Sequence, residues 1–268
     1  MRSARNTSHR STDQGFTLVE ILVAIVLVGI LSAVGVVGVG SLTSRGATAG
    51  CAASLDAARA AASVQLASTG SYPTTFTQMT GSNSLSLPSS ATVAPSGVVV
   101  TGSGWTLAML SGGIGAPPVF VCSTDLPSGW TVGPNGHLYL AVATPSNWAT
   151  AAAAAQATVV NGMTGHLATI TSAAEGAFVL ALTTDNLWLG GSDAALEGDW
   201  RWVSGPETGT PFWSGNYTGS AVGGAYTTWR TWEPNDNFGQ DCLRRVSGSA
   251  DWDDGTCTTL YSYVIEIG

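Results

Sequence analysis

The sequence predicts an α+β protein in which a long apolar helix leads into small globular parts. Three observations carry this reading. From Phe16 to Val39 the chain is apolar apart from Glu20 and a few hydroxyls. An alanine-rich helical pattern and then short strand-length segments follow, broken by glycines and prolines. After residue 136, two capped helical stretches precede a series of tryptophan-rich strands and long loops, and helices followed by strands indicate α+β rather than alternating βαβ units.

Composition narrows the function. The 268 residues suffice for one large domain or two modest ones. Only 10% of them are charged and the net charge is -8. The nine basic residues are all arginine, and three of these, Arg2, Arg5 and Arg10, lie at the amino terminus. An acidic chain of this kind is a poor nucleic-acid binder. Abundant small residues suit a secreted or surface protein. The four cysteines, Cys51, Cys122, Cys242 and Cys257, show neither C-x-x-C spacing nor a nearby histidine pair. Two disulfides in an oxidising compartment are the simplest reading. No nucleophile–base pair is recognisable, so no enzyme is expected.

The apolar run of about 24 residues would span about 36 Å as a helix, enough to cross a bilayer core. The arginines before it keep that end cytoplasmic by the positive-inside rule, which leaves the bulk of the chain outside. The run is too long for an ordinary signal peptide and has no small-x-small cleavage site at its far end. Glu20 is out of place in a plain anchor, because a carboxylate in lipid is costly and has a designated partner. The stretch "GFTLVE" resembles the type IV prepilin leader junction. The resemblance implies a leader at 1–15, cleaved after Gly15 by a prepilin peptidase, with methylation of the new terminus at Phe16. It also implies a transmembrane and assembly helix at 16–45, in which Glu20 pairs with the terminal amine of a neighbouring pilin subunit.

Residues 46–125 are expected to form a pilin-like head. "CAASLDAARAAASVQLASTG" continues the helix until Gly70 and Pro73 stop it, and a G-x-Y-P stretch of this kind often follows the long helix of pilins and pseudopilins. "TVAPSGVVVTGSG", "WTLAML" and "PPVFVCS" read as short strands. Cys51 and Cys122 could staple helix to strand, adding about 3–5 kcal/mol through loop entropy, or could be two unrelated thiols. Residues 126–135 form a turn-rich linker.

In the last part, 136–268, "HLYLAVA" alternates as a strand. Ser146 is the expected N-cap of the alanine-rich helix that follows. Ser172 and Glu175 form a capping-box pattern for a second helix. "NLWLGGSD", "DWRWVSG", "PFWSGNY", "YTTWRTW" and "YSYVIEIG" read as aromatic strands and loops. Trp188, Trp200, Trp202, Trp229 and Trp252 are expected in the core, and His137 and His166 at strand starts carry no special role. Between these strands, "WEPNDNFGQDC" concentrates oxygen acceptors without a single basic residue.

"GHLATI", "WLGGSD", "WRWVSG", the EPN tripeptide at 233–235, "WDD" at 252–254 and "YVIEI" resemble, in this order, a bacterial C-type lectin-like domain. The resemblance implies a Cys242–Cys257 bridge worth about 3 kcal/mol, pinning "WDD" beside "EPN". It implies a calcium site, Ca2+ being a hard ion that takes six to eight oxygens. The implied ligands are Glu233, Asn235, Gln240, Asp253 and Asp254, with Pro234 following a cis peptide. Glu233, Asn235, Gln240 and Asp253 would also bind carbohydrate of mannose, glucose or fucose type, with Trp232 the tryptophan to consider for stacking. Gln240 replaces the family's glutamate, Asp253 replaces its asparagine, and the loop is one residue shorter. That leaves open whether Gln240 or Asp241 faces the ion. Asp236 and Asp241 could belong to an accessory calcium site. Together the resemblances imply a pilin-like subunit, minor or at a tip, that begins in the bacterial cytoplasmic membrane and acts in surface adhesion. The alternative is a structural or protein-binding pilin or pseudopilin of a secretion system that uses the lectin-like fold as a scaffold.

Overall fold

The computed structural model describes residues 18–268, apart from the side chains at 20, 24 and 26–42. Gly15, Phe16 and the side chain of Glu20 therefore lie outside the described residues, as do most side chains of the 16–45 stretch. Among the described residues no helix is long and apolar enough to cross a membrane. The chain divides into two compact units, residues 1–46 and 47–268, and helix α1 (Leu18–Thr69) contributes to both.

Within the second unit, α1 buries Ala47, Cys51, Ser54, Ala58, Ala61 and Ala62. Spacings of three and four residues place them on one face. These side chains are small, so the helix packs closely against Trp105, Leu107, Met109 and Phe120. Gly70 ends the helix in the left-handed region (φ 78°), its N–H donating to Leu66 O at 2.8 Å. A short helix, α2 (Phe76–Gly81), follows, capped by Thr75. The sequence reading missed it, although Thr75 and Gln78 stand at capping-box spacing. Strands β1 (Thr92–Val93), β2 (Val99–Gly102), β3 (Trp105–Leu110) and β4 (Val119–Cys122) form an antiparallel meander. Cys51 is bonded to Cys122, tying α1 to β4.

The linker stretch is not a free connection. Its Trp130–Val132 form β5, which pairs with β6 (Leu138–Ser146). Gly136 occurs at φ 86°, and a Cβ there would lie 2.9 Å from Val98 Cγ2, so the turn is pressed against the head. Helix α3 (Trp148–Ala157) is capped by Asn147 and not by Ser146. Ser146 is the last residue of β6 and its carbonyl accepts Trp188 Nε1, while Asn147 Oδ1 reaches the Thr150 amide at 2.8 Å. Strands β7 (Val159–Val160) and β8 (Met163–Thr164) form a small hairpin before β9 (His166–Leu167). Helix α4 (Ala173–Leu182) is capped by Ser172 as expected, with Glu175 reaching back to Thr171 N at 2.7 Å.

Then come β10 (Leu187–Ser192), β11 (Asp199–Trp202), β12 (Pro211–Ser214) and β13 (Ser220–Ala221), the last three each pairing antiparallel with the strand before. "YTTWRTW" is not a strand, because Trp229 makes only an isolated bridge to Trp252. β14 (Cys242–Arg245) and β15 (Trp252–Gly255) form a hairpin on β10. The last strand, β16 (Tyr261–Ile267), pairs with β6, β9 and β10. Trp188, Trp200, Trp202 and Trp252 are buried and Trp229 is partly so.

The two sheets share one apolar core. Ala108, Leu110 and Val121 of the head pack in a single cluster with Leu138, Val160 and Ile267. Leu110→Ala should therefore cost the whole 47–268 unit about 2–5 kcal/mol and lower one common melting transition. Two transitions by calorimetry, with only one displaced, would show that the cores are independent.

Candidate functional site

Strand pairing brings the acidic residues together. The β14–β15 register sets Leu243 opposite Asp254 and Arg244 opposite Asp253. The Cys242–Cys257 bond closes the base of this hairpin. Trp252, 1% exposed, anchors β15 from behind through edge-on contacts with Trp202, Phe212 and Trp229. The two aspartates are thus carried on a rigid element rather than on a loop.

The acidic loop is laid over β15 by hydrogen bonds to one residue. Asp254 Oδ2 accepts the amides of Asn235 (2.9 Å) and Asp236 (2.6 Å), and the Asp254 carbonyl accepts Gln240 Nε2 at 3.0 Å. Inside the loop, Asn237 N donates to Asn235 Oδ1 and Gln240 Oε1, and Gln240 N donates to Asp236 Oδ1. The Glu233–Pro234 peptide is cis.

One carboxylate oxygen each from Glu233, Asp253 and Asp254 lies within 4.8 Å of the others. Asp254 is 0% exposed, and its Oδ1 has no hydrogen-bond partner; nor has the buried Glu233 Oε2. Buried acceptors left unpaired are costly, more so when they carry charge. Burial, and then the facing Asp254 and Asp253 carboxyls, push the Glu233 carboxyl up to about 8. Asp253 is raised by burial as well, against the lowering effect of Arg244. Arg244 donates to Asp253 Oδ2 at 2.6 Å and to Asn186 Oδ1 at 3.0 Å, and lies 5.4 Å from the Tyr261 ring centre.

A second acidic cluster joins Asp193, Glu197 and Asp241, again within 4.8 Å. Asp193 is buried, with Oδ2 accepting the Gly198 amide at 2.9 Å and Oδ1 unpartnered. Burial first, and then the charges of Glu197 and Asp241, raise its carboxyl to about 7 despite the Gly198 hydrogen bond.

The family model described as Lectin C-type domain matches residues 144–266. Lectin BRA-3 of Megabalanus rosa is 33% identical over 136 residues, 50% of this chain and 72% of that protein. A type-2 ice-structuring protein of Brachyopsis segaliensis is 30% identical over 151 residues, 55% and 76% respectively. The chain belongs to the C-type lectin domain family. Halomucin of Haloquadratum walsbyi is 37% identical over 134 residues, which are 50% of this chain but 2% of that protein. Other relatives are likewise matched over less than two thirds of their length, a hepatic lectin of Gallus gallus over 44%. A second family model, the prokaryotic N-terminal methylation motif, matches residues 10–36. The chain thus joins a type IV prepilin leader motif to a lectin domain, and both are non-enzymatic families.

In the lectin domain, the structure brings Glu233, Asp253 and Asp254 together, with Asn235 and Gln240 in the loop bonded to Asp254. Asp241 faces the other cluster, whereas Asp236 Oδ1 is occupied by the Gln240 amide. Trp232 is exposed beside the loop. Sequence reasoning missed Asp193 and Glu197, which the spacing in "SDAALE" offered, four residues apart after β10. It also missed Arg244, whose pairing with Asp253 depends on strand register. Asp254→Ala removes the acceptor of two loop amides. Hydrogen exchange at residues 235–241 should accelerate at least about tenfold while β10 and β16 keep their protection. Unchanged loop exchange would show that Asp254 does not hold the loop.

Proposed function

We propose that this chain is a type IV pilin-like subunit, minor or at a filament tip, whose lectin domain binds mannose-, glucose- or fucose-type carbohydrate through calcium in surface adhesion. The observation that carries the proposal is the convergence of the Glu233, Asp253 and Asp254 carboxyls, in which the buried Glu233 Oε2 and Asp254 Oδ1 receive no donor from outside the cluster. Such a set suits a hard cation that prefers oxygen ligands. Glu233, Asn235, Gln240, Asp253 and Asp254 would hold one ion, and Asp193, Glu197 and Asp241, next to Asp236, a second. Bound at the first site, calcium supplies a positive centre able to ligate two adjacent sugar hydroxyls. Around it Glu233 and Asp253 would accept hydrogen bonds from those hydroxyls, and the side-chain amide of Asn235 would offer a donor.

The methylation motif supports the filament part of the reading. Gly15 is the cleavage position, Phe16 the methylated terminus, and Glu20 the partner of a neighbouring subunit's amine. The protein would be held in the cytoplasmic membrane first and displayed at the cell surface afterwards. A lectin domain on every subunit would crowd a shaft, which favours a minor or tip position. A scaffold reading without sugar binding draws on Arg244, which already neutralises part of the cluster through Asp253.

Melting of the 47–268 unit with calcium and with chelator separates the two. Calcium at about 100 times its Kd adds about 2.7 kcal/mol, a shift of several degrees. Because the Glu233 carboxyl is raised to about 8 in the ion-free form, it holds a proton at pH 7, and calcium must displace it. Affinity should rise as pH increases from 7 through 8 and level off above, with about one proton released per ion. Calorimetry in buffers of different protonation enthalpy measures that release. Absence of a calcium shift would leave the scaffold reading. For the filament part, Glu20→Ala should give a processed, membrane-inserted subunit that stays out of filaments; normal incorporation, seen by filament shearing and immunoblot, would remove the role given to Glu20.

A further inference from the structure

A groove of about 450 Å³ lies where the head meets the turn between β5 and β6. Leu66 of α1, Tyr72, Pro73, Met109 of β3 and Ile114 wall it, and His137 completes the lining from the lectin side. Its volume falls within the range of small-ligand sites, about 300–1,000 Å³. Although the chain carries a net charge of -8, no aspartate, glutamate or arginine among the described residues lines this groove. The wall around Ile114 is built by glycines. A Cβ at Gly112 would collide with Pro117 O, and Ala116 N donates to Gly113 O at 3.2 Å, which closes the loop. Ile114 on this loop is fully exposed, so a ligand that covered it would gain from the burial.

His137, only a strand start in the sequence, is the one lining residue able to carry charge near neutral pH. Its Nδ1 lies 2.6 Å from Glu266 Oε1. Glu266 also faces Tyr139 OH, shared with Glu175, and accepts Thr169 N on Oε2; donors at both oxygens favour its ionised form. That carboxylate in turn favours an imidazolium. Burial pulls the His137 pKa down, but the hydrogen bond and charge of Glu266, followed by the charges of Glu175 and Glu207, leave it above the ordinary value. Gly268 packs on the ring, where a Cβ would collide with it. Nε2 makes no hydrogen bond among the described residues, and the side chain keeps 23% exposure. The ring thus turns its paired nitrogen to the interior and offers the other, as a charged N–H, to the groove.

We propose that this groove binds a small apolar carboxylate, with its hydrocarbon against Tyr72, Met109 and Ile114 and a carboxylate oxygen accepting a hydrogen bond from His137 Nε2. Charge-assisted bonds of that kind are among the stronger ones. The bound oxygen lies nearer the imidazolium than to Glu266 behind the ring, and Coulomb energy falls with distance, so attraction outweighs repulsion. Glu175 sets a limit on this balance. Burial first, and then the charge of Glu266, raise its carboxyl to about 7. On the alkaline side it adds a second negative charge behind the ring while His137 loses its positive one. Affinity is therefore greatest at mildly acidic pH and falls as pH rises through 7 and beyond. The ligand carboxylate, with a pKa of about 4–5, is ionised throughout. The groove shares no residue with the acidic clusters, so its occupancy is independent of calcium.

The test uses the full chain in detergent micelles, with titration calorimetry corrected by protein-free micelles. The probes are hexanoate, 3-phenylpropionate and cyclohexylacetate, the amide of each, and hexylamine. At about pH 6 at least one acid should bind about tenfold or more tighter than its amide, and hexylamine should not bind. At about pH 9 that preference should shrink to about twofold or less. Because Ile114 is fully exposed, Ile114→Glu should keep the melting temperature, while the carboxylate it adds to the wall weakens the acid at least about fivefold. His137→Gln should abolish both the preference and its pH dependence; if that variant does not fold, the pH series and Ile114→Glu decide. Equal binding of acid and amide, a preference unchanged at pH 9 or in Ile114→Glu, or no binding of any acid by the folded chain overturns the site.

Discussion

The arrangement of the C-terminal half depends on the pairing of its last strand. β16 runs antiparallel to β6 and β9 and parallel to β10, so both ends of the domain and the strand that carries the β14–β15 hairpin meet on it. Ile267 at its end reaches the core shared with the head. A slip of one residue would exchange the two faces of the strand. Glu266 would then leave a buried position in which His137 Nδ1 lies 2.6 Å from Oε1, Tyr139 OH is shared between Oε1 (2.8 Å) and Glu175 Oε1 (2.6 Å), and Thr169 N donates to Oε2 at 2.9 Å. The register is thus held by apolar packing and by an acid with every acceptor filled.

That acid makes an instructive contrast with the candidate site. Burial opposes ionisation of Glu266, yet the His137 hydrogen bond and charge bring its pKa below the ordinary value. Its neighbour Glu175 absorbs the cost: burial and the charge of Glu266 raise it to about 7, against the hydrogen bonds of Tyr139 and Thr171. Here the polar network is closed within the protein and reads as architecture. At Glu233, Asp254 and Asp193 the same kind of group is buried with an oxygen left over. The domain builds both environments from the same residue types; what separates them is that these oxygens face other acids, with no donor from outside the cluster.

Much of this was legible in the sequence. The order of helical and strand-like stretches indicated the α+β class, and the resemblance of "EPN" and "WDD" to a C-type lectin-like domain implied Glu233, Asp253 and Asp254, because these motifs are short contiguous runs. The Ser172 cap was readable for the same reason. What depended on distant contacts was not: Arg244 meets Asp253 only through strand register, and Asp193 meets Asp241 across 48 residues of chain. "YTTWRTW" carried the composition of a strand, but Trp229 is used for packing on Trp252 and Trp200 instead of for a ladder. The turn signals of 126–135 suggested a loose connection, and nothing local revealed that Gly136 would be pressed on Val98.

The Cys51–Cys122 bond and the shared core have a mechanical consequence. A pull on the lectin domain travels from the β14–β15 hairpin through β10 and β16 into Leu138 and Ile267, and on to β3 and β4 of the head. There it meets a covalent bond to α1. Tension reaching the helix does not have to be carried by side-chain packing alone, and no slack tether lies on the route to absorb it. An extensible linker would let the lectin domain yield and recoil; within the 47–268 unit it is joined to the Cys51 end of α1 by packed strands and a covalent bond instead.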